Sequence, residues 1–357
     1  MTKNWKDCKN LLIIRADNMG DVIMSVPAIR ALKESFSPKI TILTSSMAMG
    51  IIPFIAEIDE TIAYDLPWIK TKETINGDSI SNLVSQLKEK KFDGVVIFTV
   101  FSQNPLPAAM IAYMANIPLR LGYCRENPYN LLTDWVPDKE PYSFIQHQVE
   151  RDLALVHSIG ATTSNRHLHL TVSNDTLDSI KEKLVFENFD YEKPWIIFHA
   201  GVSEKKREYP PEKWVAAAKK IIDEKNFQVL FTGSKAEKKL CDELASLTGK
   251  NAFSVAGIFT LKEFIALLKN APVIVSVNTG TIHIAAAVNT PVVVLYAQTN
   301  PQHTPWMVPH KILPFGVDEP DRSKNEVIRY LYKTVYKEPV TMPDASEILN
   351  AVNELLG

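Results

Sequence analysis

The chain has 357 residues, 46% hydrophobic and 22% charged, with a formal net charge of −2. That length exceeds one comfortable core, so two domains are expected. The balance excludes a disordered chain and a global basic field that would gather nucleic acid. Cys8, Cys124 and Cys241 are far apart and odd in number, without CxxC or Cys/His zinc spacing. They point to a reducing, cytoplasmic compartment and to no resident metal. The first ten residues are polar and lack a signal-peptide core. The apolar window 271–297 is broken by Asn278, His283, Asn289 and Pro291, so it reads as buried strands around a short helix rather than a membrane span.

Along the chain, strand and helix patterns alternate. Leu11–Arg15 is a short apolar run ending in a basic residue. Gly20 turns the chain, and a helix starts at Asp21 with Val22, Ile23, Val26, Ile29 and Leu32 on its apolar side. Strands are expected at Ile40–Leu43 and Val95–Phe98, and helices at Ser79–Lys91, Pro105–Ala115 and His147–Ile159. The stretch Leu184–Pro194 is charged and aperiodic and reads as a linker. The alternation then restarts with strands Trp195–His199, Val229–Thr232, Val273–Val277 and Val292–Tyr296. Helices fall at Glu212–Glu224, Ala236–Leu247, Leu261–Leu268 and Ile282–Val288. The expected division is therefore 1–185 and 186–340, each α/β with a parallel sheet. A last helix within 341–357, capped by Asp344, is expected to return to the first domain. Ligands of such sheets bind at the carboxyl ends of the strands, here in a cleft between the two domains.

Four loops carry candidate chemistry. Asn278-Thr279-Gly280-Thr281 joins a buried strand to a helix, with His283 in the first helical turn. Free first-turn amides and the helix dipole attract anions there, and Gly280 allows close approach. The same residues serve equally as a plain helix cap. Asp21, at a helix start, suits a general base and equally a dipole-stabilising acid. The loop from His199 to Pro210 carries Ser203, Lys205, Lys206 and Arg207, a set that can clamp a diphosphate or lie solvated. Glu237, after the strand ending at Thr232, suits a ribose diol or a first-turn cap. Neither GxGxxG nor a P-loop is present, which argues against dinucleotide and ATPase readings.

In chain order these pieces resemble glycosyltransferase family 9, the ADP-heptose:lipopolysaccharide heptosyltransferases. The resemblance rests on LLIIRADNMGDVIMSVPAIRAL (Leu11–Leu32), IPLRLGYCRENPYNLLTDWV (Ile117–Val136) and HQVERDLALVHSIGA (His147–Ala161). It continues through HAGVSEKKREYPPEKW (His199–Trp214) and SVNTGTIHIAAAVNTPVVVLYAQTNPQHTPW (Ser276–Trp306). The family implies a GT-B fold, two Rossmann-like domains facing across a cleft, and inverting sugar transfer without a metal or other cofactor. It implies Asp21 as the base, and phosphate contacts from Ser203, Arg207 or Lys206, Thr279, Gly280, Thr281 and His283. It further implies Glu237 on the ribose and Phe259 on the adenine.

Asn278 stands where the family pattern has an Asp that meets the donor sugar. Asn keeps the size but gives up the charge and one acceptor, so a different nucleotide-sugar, or binding without turnover, stays open beside ADP-heptose. Arg120 and Arg125 are candidates for an acidic sugar of a glycolipid or oligosaccharide acceptor. A lipid-linked acceptor implies peripheral contact with the inner leaflet of the cytoplasmic membrane, and no nucleic-acid partner is implied.

Overall fold

The computed structural model describes residues 4–69, 76–173, 176–202, 204–297, 300–318, 322, 324–335 and 341–357. The chain divides into two compact units, Met1–His167 with Pro301–His303, and Leu168–Asn300 with Thr304–Gly357.

In the first unit the elements are β1 (Asn10–Ile14), α1 (Met19–Phe36), β2 (Lys39–Thr44), β3 (Glu60–Ala63), α2 (Gly77–Lys90), β4 (Gly94–Ile97), α3 (Leu106–Met114), β5 (Leu119–Cys124), β6 (Asp134–Pro137) and α4 (Gln148–His157). The strands form one six-stranded sheet in the order β3-β2-β1-β4-β5-β6, and every pairing is parallel. The runs Leu11–Ile14 and Val95–Ile97 are fully buried, as strands covered by helices on both faces must be. Leu12, Ile14, Val95 and Ile97 pack with Leu83 and Leu87 of α2 and Ala109 and Ala112 of α3.

The second unit holds α5 (Thr176–Phe186), β7 (Trp195–His199), α6 (Pro211–Lys225), β8 (Gln228–Thr232), α7 (Lys238–Thr248), β9 (Ala252–Ser254), α8 (Leu261–Asn270), β10 (Ile274–Val277), α9 (Gly280–Ala287), β11 (Val292–Ala297), β12 (His310–Phe315), α10 (Glu326–Val335) and α11 (Ala345–Leu356). Its sheet order, β12-β11-β10-β7-β8-β9, is the same permutation as in the first unit. Phe198 anchors the core edge-on to Phe231 at 5.7 Å and tilted against Trp214 at 5.3 Å.

Two expectations about organisation are corrected. The boundary lies near residue 167, because α5 packs on α8 of the second unit. Glu263 of α8 receives Ser179 Oγ at 2.8 Å and pairs with Lys183 at 2.7 Å. The last helix stays in the second unit: Ile348, Leu349, Ala351 and Val352 of α11 share the core of Trp214 and Phe198. Its apolar stripe fits the α6 surface, and Tyr209 Oη fixes the entry by donating to Pro343 O at 2.6 Å. Asp344 caps α11 as expected, accepting from Ser346 N at 2.8 Å and Glu347 N at 2.9 Å. The three cysteines are buried and form no disulfide among the described residues.

Candidate active site

In each sheet the strand order reverses once, between β1 and β4 and between β7 and β10. Loops leaving the two central strands diverge there and open a crevice at the carboxyl ends. The candidate residues gather at these two points.

In the first unit, the loop after β1 carries Asp17 and the loop after β4 carries Gln103, whose Nε2 donates to Asp17 Oδ1 at 2.5 Å. Asp21 lies in the first turn of α1. Asn18 N donates to its Oδ2 at 3.2 Å, and Arg15 Nη2 stands 3.4 Å from its Oδ1. Arg15 is fully buried, and its Nε is 3.4 Å from Asp17 Oδ2. Behind this turn, Ser25 Oγ and Gln148 Nε2 each donate to Asp152 at 2.7 Å. Arg151 grips Asp138 through two bonds at 2.9 and 3.0 Å and Glu140 at 2.7 Å, and its guanidinium lies 4.1 Å from the Tyr123 ring centre. Burial pushes the Asp17 carboxyl above the usual range, against the pull of Arg15. Burial likewise pushes Asp152 up to about 6, again opposed chiefly by Arg15. Burial works against the Arg15 charge, but Asp17, Asp152 and Asp21 more than offset it, and its pKa rises. The guanidinium is therefore a fixed positive charge.

In the second unit, Arg207 Nη1 donates to Asn278 O at 3.0 Å, which brings the basic loop after β7 onto the turn after β10. Glu204 Oε2 lies 3.2 Å from Arg207 Nη2 and 3.4 Å from Lys206 Nζ. Thr279 is the N-cap of α9. Its Oγ1 is buried and has no hydrogen-bond partner among the described residues, so it does not cap the helix in the ordinary way. Gly280 and Thr281 open the helix, where amides lack intrahelical acceptors, and His283 is buried in the same turn. Asn278 Oδ1 accepts from Ala297 N at 3.2 Å, tying the turn to the end of β11.

Glu237 lies across from Gly201. A Cβ on Gly201 would stand 2.0 Å from Glu237 Oε1, so only glycine lets this carboxylate lie against the β7 loop. Its other oxygen accepts from Ser234 N at 2.6 Å. Gly257 N donates to Gly233 O at 2.9 Å, joining the Glu237 loop to the turn that carries the half-buried Phe259. Lys183 Nζ sits 5.9 Å from that ring. A pocket of about 500 Å³ lies beside this arrangement, lined by Gly201, Lys206, Tyr209, Trp214, Glu237 and Met342 among others. Its walls do not include Thr279–Thr281, so it is distinct from the anion turn.

Residues 80–327 match the model of glycosyltransferase family 9 (heptosyltransferase). The chain belongs to this family. It is a glycosyltransferase. It is 28% identical over 306 residues to lipopolysaccharide heptosyltransferase 2 of Escherichia coli strain K12, covering 83% of this chain and 84% of that one. Against lipopolysaccharide heptosyltransferase 2 of Salmonella typhimurium strain LT2 it is 27% identical over 311 residues, with 83% and 84% covered. Among solved structures, the family 9 glycosyltransferase from Veillonella parvula DSM 2008 superposes with a TM-score of 0.77 at 16% identity, covering 100% of this chain and 98% of that one. ADP-heptose lps heptosyltransferase II of E. coli superposes with a TM-score of 0.71 at 23% identity, covering 97% and 98%. These likenesses establish the GT-B-like fold of two parallel-sheet α/β domains.

Within this family 9 chain, Lys206, Arg207, Asn278, Thr279, Gly280, Thr281 and His283 come together in one unit, with Glu237 and Phe259 on adjoining loops. Ser203 lies outside the described residues. Arg120 does not fit its expected role. Its guanidinium donates to Leu131 O at 2.8 Å, to Asn130 O at 2.7 Å and to Ile117 O, holding the turn before β6 instead of facing an acceptor. Arg125 is partly exposed, but its Nη2 reaches Glu140 O at 3.0 Å and Asp138 at 3.3 Å, so it braces the Arg151 network. Sequence reading passed over Arg15, Asp17, Asp152 and Arg151. The one signal available was a basic residue, Arg15, ending an apolar strand five places before Gly20-Asp21. It also left His199 without a role. That imidazole is buried, its Nδ1 is 2.9 Å from Thr232 Oγ1, and burial lowers its pKa against the influence of Glu237.

Proposed function

We propose that this glycosyltransferase moves a heptose from ADP-heptose to a lipopolysaccharide-core acceptor, with inversion and without a metal. The observation that carries the reading is the Arg207–Asn278 O contact. It seats a basic loop over the α9 N-terminus beside an unpartnered buried hydroxyl, which is the equipment for a diphosphate leaving group. That the relatives are lipopolysaccharide heptosyltransferases supports heptose as the sugar and a lipopolysaccharide acceptor. A family structure, E. coli heptosyltransferase WaaC, was solved with ADP.

In this reading Asp21 takes the proton of an acceptor hydroxyl as that oxygen forms a bond to the anomeric carbon. The bond from that carbon to the β-phosphate oxygen breaks, and its electron pair leaves with ADP. Arg207, with Lys206, meets the growing phosphate charge together with the Thr279, Gly280 and Thr281 donors and His283. Glu237 receives the ribose hydroxyls, and Phe259 lies against the base. Asn278, engaged by Ala297 N through Oδ1, keeps its amide group for the donor sugar. That amide donates where the family's Asp accepts, which favours a sugar with a different hydroxyl pattern as the second reading. A lipid-linked acceptor places the work at the inner leaflet of the cytoplasmic membrane. No helix among the described residues is long and apolar enough to cross it.

Calorimetric titration with ADP, UDP, GDP and CDP, followed by transfer from ADP-heptose with and without chelator, tests the proposal. ADP should bind tightest and turnover should survive the chelator. Preference for UDP or GDP would overturn the donor assignment, and chelator-sensitive turnover would overturn metal independence.

A further inference from the structure

We infer that Arg15 and Asp17 are positioning residues for Asp21, forming a buried carboxylate–guanidinium–carboxylate clamp that fixes the plane of the base and sets how readily it holds a proton. The inference rests on the assignment of Asp21 as base.

The geometry is specific. Arg15 ends β1 and has no solvent exposure. Its Nη2 faces Asp21 Oδ1 and its Nε faces Asp17 Oδ2, both at 3.4 Å. Neither Nε nor Nη1 has a hydrogen-bond partner among the described residues, so this buried cation answers to the acids around it through charge. Asp21 is held on both oxygens, Oδ1 by Arg15 and Oδ2 by the Asn18 amide at 3.2 Å. Asp17 is held independently by Gln103, so it cannot swing away from the guanidinium.

Two opposing demands explain the arrangement. A base must stay ionised in a half-buried turn, which a nearby cation favours. A base paired to a cation alone holds a proton poorly. Asp17 divides the guanidinium's influence and sets a second carboxylate beside Asp21. From α4, Arg151 and Asp152 face the same guanidinium. Asp152 bonds to Ser25 and Gln148 rather than to Asp21. Of the other segments packed on α1, Met49–Phe54 has no titratable group, and Trp5–Asp7 brings Lys6 and Asp7, both exposed. Asp17 is therefore the carboxylate that meets Arg15 at contact distance beside Asp21, while Asp152 acts on the same guanidinium from behind through charge.

The test is a direct titration of Asp21 by carboxyl-carbon NMR on aspartate-labelled protein, its resonance identified by its loss in Asp21→Asn. Asp17→Asn is nearly isosteric. It should lower the Asp21 midpoint by about one pH unit, because repulsion is removed and Arg15 acts undivided. Arg15→Met should raise the midpoint by a similar amount, and Arg15→Lys should restore it toward wild type. Near-ultraviolet circular dichroism checks that each variant folds. Should Arg15→Met not fold, Asp17→Asn alone decides. An unmoved midpoint, or a shift of the same sign in Asp17→Asn and Arg15→Met, overturns the clamp. This readout needs no acceptor. Turnover of Asp21→Asn, measured alongside with ADP-heptose and a deacylated core oligosaccharide, separates the two claims: wild-type turnover there removes Asp21 as base and the clamp's purpose with it. An inactive Asp21→Asn with an unmoved Asp17→Asn midpoint removes the clamp alone.

Discussion

The two sheets share one strand order, yet their crevices carry opposite chemistry. Where the order reverses in the first unit, acids collect: Asp17 and Asp21 on the turn, with Asp152 behind them and one buried guanidinium among them. At the equivalent point of the second unit, Lys206 and Arg207 meet a helix N-terminus, with Glu204 as their counter-charge. The backbone permutation creates both crevices and decides neither chemistry. In the first unit the opening turn of α1 is closed by Asp21 itself through Asn18 N, so it offers no anion site. In the second unit the N-cap Thr279 Oγ1 has no hydrogen-bond partner among the described residues, as the proposed phosphate site requires. A self-capped helix start thus carries the proposed base, and an uncapped one the proposed anion site.

Substitutions can break this comparison one side at a time. Asp21→Asn should lower kcat by ~10²–10⁴-fold while ADP affinity, a property of the other unit, is unchanged by calorimetry. Arg207→Ala should weaken ADP binding by roughly ten- to a hundredfold, as expected for a charge-assisted contact. Lys206→Ala should cost less, since the hydrogen bond to Asn278 O is made by Arg207. Equal losses would show the clamp to be shared.

Asp152 gives a pH-dependent prediction. Burial raises its folded pKa to about 6 from an ordinary 3.8, so the fold holds that proton more tightly than the unfolded chain. The stabilisation is complete below about pH 4 and is lost as pH rises through about 6. Asp152→Asn should therefore gain up to about 3 kcal/mol over wild type between pH 4 and pH 7.5, read from urea midpoints. A gap that does not widen with pH would contradict a buried, strained carboxylate. The smallest effect is expected for Glu204→Gln. Releasing Lys206 and Arg207 from a partly exposed pair should tighten ADP about two- to fivefold.

Much of this was legible from sequence because it is local. The runs Leu11–Ile14 and Trp195–His199, the turn before Asp21 and the turn at Asn278–Thr281 carry their signals within a few residues. The short edge strands β6 and β9 do not, since they run only four and three residues. Arg120 looked like a free surface cation because sequence cannot show that carbonyls from a neighbouring turn surround it. Arg15 looked like a strand terminus because its role depends on Asp152, which reaches Ser25 across 127 positions. Charge networks assembled from distant segments leave no periodicity behind. The placement of α5 failed for a related reason: a charged, weakly periodic stretch reads as linker until its partner α8 is seen.

The segment Pro301–His303 belongs to the first unit although it follows most of the second. Gln302 is fully buried and donates to Glu140 Oε1 at 3.0 Å across 162 positions. Glu140 in turn holds Arg151, behind the proposed base. On the ribosome, at about 5–20 residues per second, a nascent first unit therefore waits on the order of ten to thirty seconds for its last buried partner. By then nearly all of the second sheet has emerged, so maturation of the side that carries the proposed base is timed by synthesis of the other.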